Sequence, residues 1–437
     1  MRVQVFDALK IGGYDFCMGK KERPIHTVQH DGGCWPTQLQ ELLLQASVLR
    51  GKAAVDAWRQ WKANVDWDQI DLGSRRLFPL AYRNLSTHGL KDPLMNIFGW
   101  VYRSTQSGNQ GMFARMSDIL NSFHHAGIPT LLLKGAALIL LHYKDPGLRP
   151  MVDFDILVPT AKAAAAIKML SELGWASTVT RLKGFSEIGS LTRLGWTPNI
   201  RPTEEFTQTY FSVRHAHEFV GPAGHVCDLH WHLFQGSANL DADHEFWQGA
   251  VGTTVGRVPT FALNPTDLLF HVCVHGAKWN SVPPLRWLAD AATIMSTSEA
   301  EINWDRLIAL ARQHGQVLPL RHALAYLRRH LYLPVPSAVL KAFQDLPVSQ
   351  IMRMEYRIRT RPPRLMDGFL EIYFLYKCYT RQDQPLGLFR ALKGFPEFLQ
   401  HVFGMERLCH LPLYVLFELV RRFREMTISF WNRAAKL

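Results

Sequence analysis

Apolar positions along the chain follow two regimes: helical spacing towards both ends, and short continuous or alternating runs in the middle. From Trp35 to about residue 125, segments such as WPTQLQELLLQASVLRG and KAAVDAWRQWKANVD space their apolar residues three and four apart, which predicts an all-helical unit. Residues 1–34, rich in Gly, Lys and His without a sustained period, are expected to form a loosely ordered leader. At Gly127 the pattern changes. Ile128 to Leu133 is a continuous apolar run between Gly127 and Gly135, which reads as a buried strand, and AALILLHY after it suits a helix. Beyond the loop KDPGLRP, the alternation in MVDFDILV predicts a second strand, and AKAAAAIKMLSELG predicts a helix ending at Gly174. A polar stretch to about residue 205 precedes YFSVRHAHEFV, the turn residues Gly221-Pro222-Ala223-Gly224, and HVCDLHWHLF, together a hairpin signature. From Asn264 the helical period returns, in NPTDLLFHVCVHGAKW, PLRWLADAATIM and INWDRLIALARQHG, and continues with proline breaks to Leu437. The expected organisation is a leader (1–34), a helical region (35–125), an α/β core of the α+β class (126–263), a helical domain (264–345) and a basic helical region (346–437).

Composition narrows the class. At 437 residues, with 47% hydrophobic and 20% charged residues, the chain has ordinary globular content and length for more than one packed unit. A mean hydropathy of −0.07 argues against a multispanning membrane protein. The formal charge of +12 favours anionic partners, with nucleotides, nucleic acid and acidic lipid all open. Residues 346–437 carry 15 Lys/Arg against 8 Asp/Glu, so +7 of that charge lies there. Arg421, Arg422 and Arg424 follow the apolar LYVLFELV, an arrangement that suits either peripheral membrane contact or a helix packed on its own domain. Six scattered cysteines without a Cys-x-x-Cys pair form neither a zinc pattern nor a disulfide framework, and the N-terminus has no secretory signal. The expected location is cytoplasmic.

The chemistry concentrates in the central region. In Asp153-Phe154-Asp155 the two-residue period of a strand puts both carboxylates on one face. Two like charges held together call for a cation, and oxygen donors suit Mg2+ or Mn2+; by itself the pair also fits two solvated side chains at a strand end. Asp228 adds a third carboxylate from another strand, alternating with His230 and His232. An even-length turn centred on Pro222 and Ala223 would pair Asp228 with His217 and His230 with His215, placing all four on one face. Lys134-Gly135, at a strand-to-helix junction, is a candidate phosphate cradle, and Arg149 a candidate phosphate clamp. His271 and His275 share a helix face but lack the intervening Glu of a metalloprotease, and read as packing residues. No Walker A loop, Rossmann glycine fingerprint or Gly-x-Ser-x-Gly elbow is present.

Taken in order, LLLKGAALILLHYKDPGLRPMVDFDILV and HVCDLHWHL resemble a bacterial nucleotidyltransferase family of the polymerase-beta superfamily, marked by Lys-Gly, Arg-x-x-x-Asp-x-Asp and Asp-Leu-His-Trp. LFPLAYRNL, PLRWLADAATIM and INWDRLIALA extend the resemblance to roughly residues 35–320. It implies a small mixed sheet flanked by helices, with Asp153 and Asp155 binding two magnesium ions and Asp228 binding one while helping to deprotonate an acceptor hydroxyl. The implied reaction moves a nucleoside monophosphate from a nucleoside triphosphate to an acceptor, which could be a small molecule, glycan or protein. Lys134, Gly135, Arg149, His217 and His230 are the nucleotide-contact candidates. The superfamily's usual Gly-Gly or Gly-Ser loop is Gly135-Ala136 here, so a hydroxyl that often touches the triphosphate is missing. A nucleotide-binding sensor or scaffold without turnover is the alternative expectation.

Overall fold

The computed structural model describes residues 32–177, 214–234 and 242–362, together with Phe211 and a few positions between 370 and 399. The expected leader up to residue 31, most of the polar stretch before the hairpin, and the basic tail with Arg421, Arg422 and Arg424 lie outside the described residues.

The predicted N-terminal helices form. Thr37 starts α1 (Gln38–Val48) through a capping box: its hydroxyl accepts from Gln40 N while the Gln40 side chain accepts from Thr37 N. Next come α2 (Gly51–Asn64), α3 (Leu72–Arg75), whose first turn is capped by the Asp71 carboxylate, and α4 (Phe78–Thr87). The long α5 (Leu94–His125) closes this layer. Trp58, Trp61, Phe78 and Phe98 are all buried between these helices, with Phe78 and Phe98 stacked at 3.9 Å between centroids. Each such ring contributes about 2–3 kcal/mol through burial, so this cluster anchors the layer against which the sheet lies.

The sheet has seven strands in the order β3-β4-β5-β2-β1-β7-β6. In chain order they are β1 (Leu131–Leu133), β2 (Asp153–Leu157), β3 (Ala176–Ser177), β4 (Ala216–Val220), β5 (Val226–His230), β6 (Val251–Val255) and β7 (Val258–Ala262). β2 lies between antiparallel β1 and parallel β5, while β1 runs parallel to β7. The mixed α+β class expected from the sequence is therefore observed. The β6–β7 hairpin was not among the expected elements; it turns at Gly256, which takes a positive φ of 59°. Between β1 and β2 the chain forms α6 (Lys134–Leu138), which runs into a π-helical turn over Ile139–Tyr143. After β2, α7 (Ala163–Glu172) and Trp175 cover the face of the sheet that carries Phe154.

The hairpin register differs from the expected one. Glu218 pairs with Asp228 and Ala216 with His230, whereas His217 pairs with Leu229. The cause is the turn: Gly221 N donates to His225 O, leaving three loop residues, and the last of these, Gly224, takes a φ of 79°. A three-residue loop with glycine in the left-handed position shifts the pairing by one residue relative to an even-length turn. His217 is thereby placed on the opposite face from Asp228, its ring tilted against that of Phe219 and hydrogen-bonded to the Ser177 hydroxyl. It leaves the set of nucleotide-contact candidates.

α8 (His244–Gln248) lies between β5 and β6, and the sheet is followed by α9 (Pro265–Gly276), capped by Asn264, whose side chain accepts from Asp267 N. α10 (Arg286–Thr297) packs on α9, the Trp287 ring filling the space a Cβ on Gly276 would need. α11 (Trp304–Gln313), α12 (Val317–Leu331), α13 (Ser337–Asp345) and α14 (Gln350–Thr360) complete the helical flank. Among the described residues no helix is long and apolar enough to cross a membrane. Cys34, Cys227 and Cys273 are buried free thiols.

Candidate functional site

Side-chain alternation in three adjacent strands builds one acidic face. Asp155 on β2 pairs with Asp228 on β5, which pairs with Glu218 on β4, so three carboxylates share one row of the sheet. Asp153 lies on the same face two residues earlier, as expected, and His230 occupies the next row, opposite Leu157. Donor atoms of Asp155, Asp228 and His230 all lie within 4.8 Å of one another, so a slight closing of the side chains would let a single divalent ion with bonds of about 2.1 Å reach all three. Asp153 stands outside that group, and His230 stands inside it. His230 Nε2 is 3.2 Å from Asp155 Oδ1, and its Nδ1 is buried without a partner. The donor set therefore fits a divalent cation, and the imidazole widens the fit from Mg2+ towards Mn2+.

A lysine already neutralises part of this face. Lys134, at the junction of β1 and α6, adopts a φ of 41°, a conformation that non-glycine residues rarely take and that aligns with functional constraint. Its ammonium donates to Asp155 Oδ1 at 2.5 Å. Burial opposes the charge on Lys134, but Asp155, Asp153 and Asp228 outweigh it and hold the amine above its ordinary value. Burial likewise pushes Asp155 up, yet Lys134 and His230 hold it well below the usual carboxylate range. Asp153 is raised by burial and by Asp155, and Asp228 is pushed up to about 7 by burial and by both other aspartates. Three acids on one face thus divide into one firmly ionised and two that resist ionisation, the electrostatic condition a bound cation relieves.

Arg149 is held by the loop before β2. The buried Asn109 side chain on α5 donates to Pro146 O at 2.6 Å and Arg149 O at 2.8 Å, and accepts from Met151 N. Gly147 fits against the Tyr102 ring, where a Cβ would come within 2.3 Å of a ring carbon. The guanidinium does not stand open as a simple clamp. Its Nε and Nη2 donate to the two Asp290 carboxylate oxygens at 2.8 Å each, and Tyr143 Oη donates to the same carboxylate. Nη1 alone is turned to the site, lying 2.6 Å from where a Cβ of Gly135 would be. Gly135 is therefore required by Arg149 and Met151 whatever ligand approaches. Gly135→Ala is expected to cost about 1–3 kcal/mol through overpacking, read as a lower urea midpoint.

Histidines line the other side. The His215 ring lies 5.5 Å from that of His230, and burial with the nearby cations pushes His215 down to about 3. His271 and His275 lie one helical turn apart on α9, as expected from their spacing; burial and Lys134 hold both well below the usual imidazole range. His275 is nevertheless exposed to solvent.

Sequence reasoning missed Glu218, Arg76, Arg286 and Asp290. Glu218 was hidden by the register; the Arg286 and Asp290 pair was legible as an i, i+4 spacing in PLRWLADA, but the partner of each is tertiary. Arg76, at the end of α3, and Arg286, at the start of α10, both fall within electrostatic reach of Asp153 and Arg149.

A mixed sheet presenting carboxylates from neighbouring strands, with a lysine at the preceding strand-to-helix junction and helices on both flanks, has the layout of a nucleotidyltransferase core. Residues 64–332, more than half of the chain, match the model of a family described as uncharacterised nucleotidyltransferase, and the chain belongs to that family. No curated protein matches it.

Proposed function

We propose that the protein transfers a nucleoside monophosphate from a nucleoside triphosphate to an acceptor hydroxyl, with divalent metal bound at Asp155, Asp228 and His230. The observation that carries this reading is the convergence of those three donors within 4.8 Å, on a face that also bears Asp153 and Lys134. Asp153 would complete the set for a second ion, as in two-metal phosphoryl transfer. Bound metal would polarise the α-phosphate and neutralise charge on the departing pyrophosphate. The acceptor oxygen forms the new bond to Pα, the Pα–O bond to pyrophosphate breaks, and Asp228 takes the acceptor proton. Lys134 supplies fixed positive charge beside the reacting phosphate.

The test is a screen of the four triphosphates labelled at the α-phosphate, with Mg2+ or Mn2+ and cell extract, comparing the wild type with Asp155→Asn. Label should pass to an acceptor, with stoichiometric pyrophosphate, only in the wild type; equal labelling by both proteins sinks the proposal. A nucleotide sensor without turnover is favoured by one observation, the Lys134 ammonium seated on Asp155 Oδ1 where an ion would bind. That reading predicts metal-dependent nucleotide binding with no pyrophosphate released from any acceptor.

A further inference from the structure

We propose that the Lys134 ammonium is a built-in counter-cation that a divalent ion must evict from Asp155, so that metal entry and release of the lysine are a single event. The metal site rests on the transferase reading above; the competition for it is a property of Lys134.

Both cations need the same oxygen. Lys134 Nζ donates to Asp155 Oδ1 at 2.5 Å, and His230 Nε2 lies 3.2 Å from that same atom. Neighbouring ligands on an octahedral ion with bonds of about 2.1 Å stand roughly 3 Å apart, so Oδ1 and Nε2 are already spaced as such a pair. An ion about 2.1 Å from Oδ1 could lie at most about 4.6 Å from an ammonium that stays on the same atom. Like charges that close repel strongly where little water screens them, and Asp155 is buried. Ion and ammonium therefore exclude one another at Oδ1.

The lysine can leave, whereas the carboxylate cannot. The Lys134 side chain keeps 21% of its surface exposed against 4% for Asp155, so the ammonium has a path to water. Asp155 sits within β2, paired with Leu133 on one side and Asp228 on the other. Movement falls to the Lys134 side chain itself, because Gly135 is wedged in place: a Cβ there would lie 2.6 Å from Arg149 Nη1 and 2.7 Å from Met151 Sδ. The φ of 41° at Lys134 is a strained conformation, and its bond to Asp155 helps to hold it in the metal-free chain. Without this ammonium the three donors would stand open to any divalent ion. With it, each ion must first break a charge-assisted hydrogen bond, and weakly binding ions are turned away. The ammonium keeps its proton throughout. Once evicted, it stays tethered at the junction of β1 and α6, so its charge is free only while metal is bound.

Calorimetric titration of Mn2+ alone into the full chain tests this, comparing the wild type with Lys134→Gln. Glutamine removes the competing cation, so the Kd for Mn2+ should fall about tenfold or more. In EDTA the variant should melt below the wild type, having lost the Asp155 contact, and Mn2+ should raise its midpoint by more than it raises that of the wild type. An unchanged or higher Kd in a variant that melts cooperatively overturns the competition and leaves the transferase reading standing. Should the variant fail to fold, a crystal structure of the wild type grown with Mn2+ decides. Lys134 Nζ beyond about 3.5 Å from both Asp155 oxygens upholds the eviction, and an ammonium still seated on Oδ1 beside a bound ion overturns it. Absence of Mn2+ binding by either protein overturns the competition together with the metal site. Tighter binding by Lys134→Gln in a chain that labels no acceptor upholds the eviction and fails the transferase reading alone.

Discussion

Asparagine at position 155 or 228 should abolish tight Mn2+ binding and reduce nucleotidyl transfer on the order of 10²-fold or more, yet the two substitutions should move stability in opposite directions. Both remove one of the three convergent donors, so calorimetric affinity for the ion should fall at least about tenfold in either case. The difference lies in what each carboxylate faces in metal-free protein. Asp155 accepts from Lys134 and His230, and its loss leaves a buried ammonium without its partner, costing about 1–3 kcal/mol. Asp228 is held up to about 7 by burial and by its acidic neighbours, so above that pH its ionised form opposes folding. At pH 8, without metal, Asp228→Asn should therefore melt above the wild type and Asp155→Asn below it. An ion must also displace the Asp228 proton below neutrality, so Mn2+ affinity of the wild type should rise with pH up to about 7 and level off beyond. Lower melting for both variants at pH 8, or pH-independent Mn2+ affinity between 6 and 7, contradicts this account of the acidic face.

The second large effect concerns Asp290. Asp290→Ala strips Arg149 of two charge-assisted hydrogen bonds and Tyr143 of one, all in the interior. Removing one partner of a buried pair strands the other as an uncompensated charge, with an expected loss of about 3–5 kcal/mol. The desolvation of the pair is itself unfavourable, so replacing both partners by apolar residues should cost less than replacing one. Urea denaturation of Asp290→Ala and of Arg149→Met combined with Asp290→Leu measures this: the double variant should be the more stable of the two. A double variant less stable than Asp290→Ala would mean that Arg149 contributes more through its third nitrogen and its loop than through the ion pair.

The pattern of the chain foretold the elements that bear the chemistry because their signals are local. Asp153 and Asp155 share a face through the strand period alone, Asn264 caps α9 as its position suggested, and Gly174, at a φ of 80°, lies just beyond α7 where the helix was expected to end. What sequence did not convey was set by turn geometry or by tertiary placement. One loop residue more than assumed between β4 and β5 exchanged Glu218 for His217 beside Asp228. Arg149 looked like a phosphate ligand, and only the approach of α10 shows that Asp290 takes two of its donors. Arg76 carries no motif at all; its relevance comes from α3 lying against the segment before α10.

The three-residue turn at Pro222-Ala223-Gly224 also bears on how this protein can diverge. β5 is fixed by β2 on its inner side, whereas among the described residues β4 has the two-residue β3 beyond it. Deleting a single codon in that loop would leave the central aspartates in place while sliding β4 by one residue, which brings an imidazole to the border of the acidic row in place of a carboxylate. Variants of this chain could thus acquire a second imidazole beside the candidate metal site without any substitution in the strands that hold it.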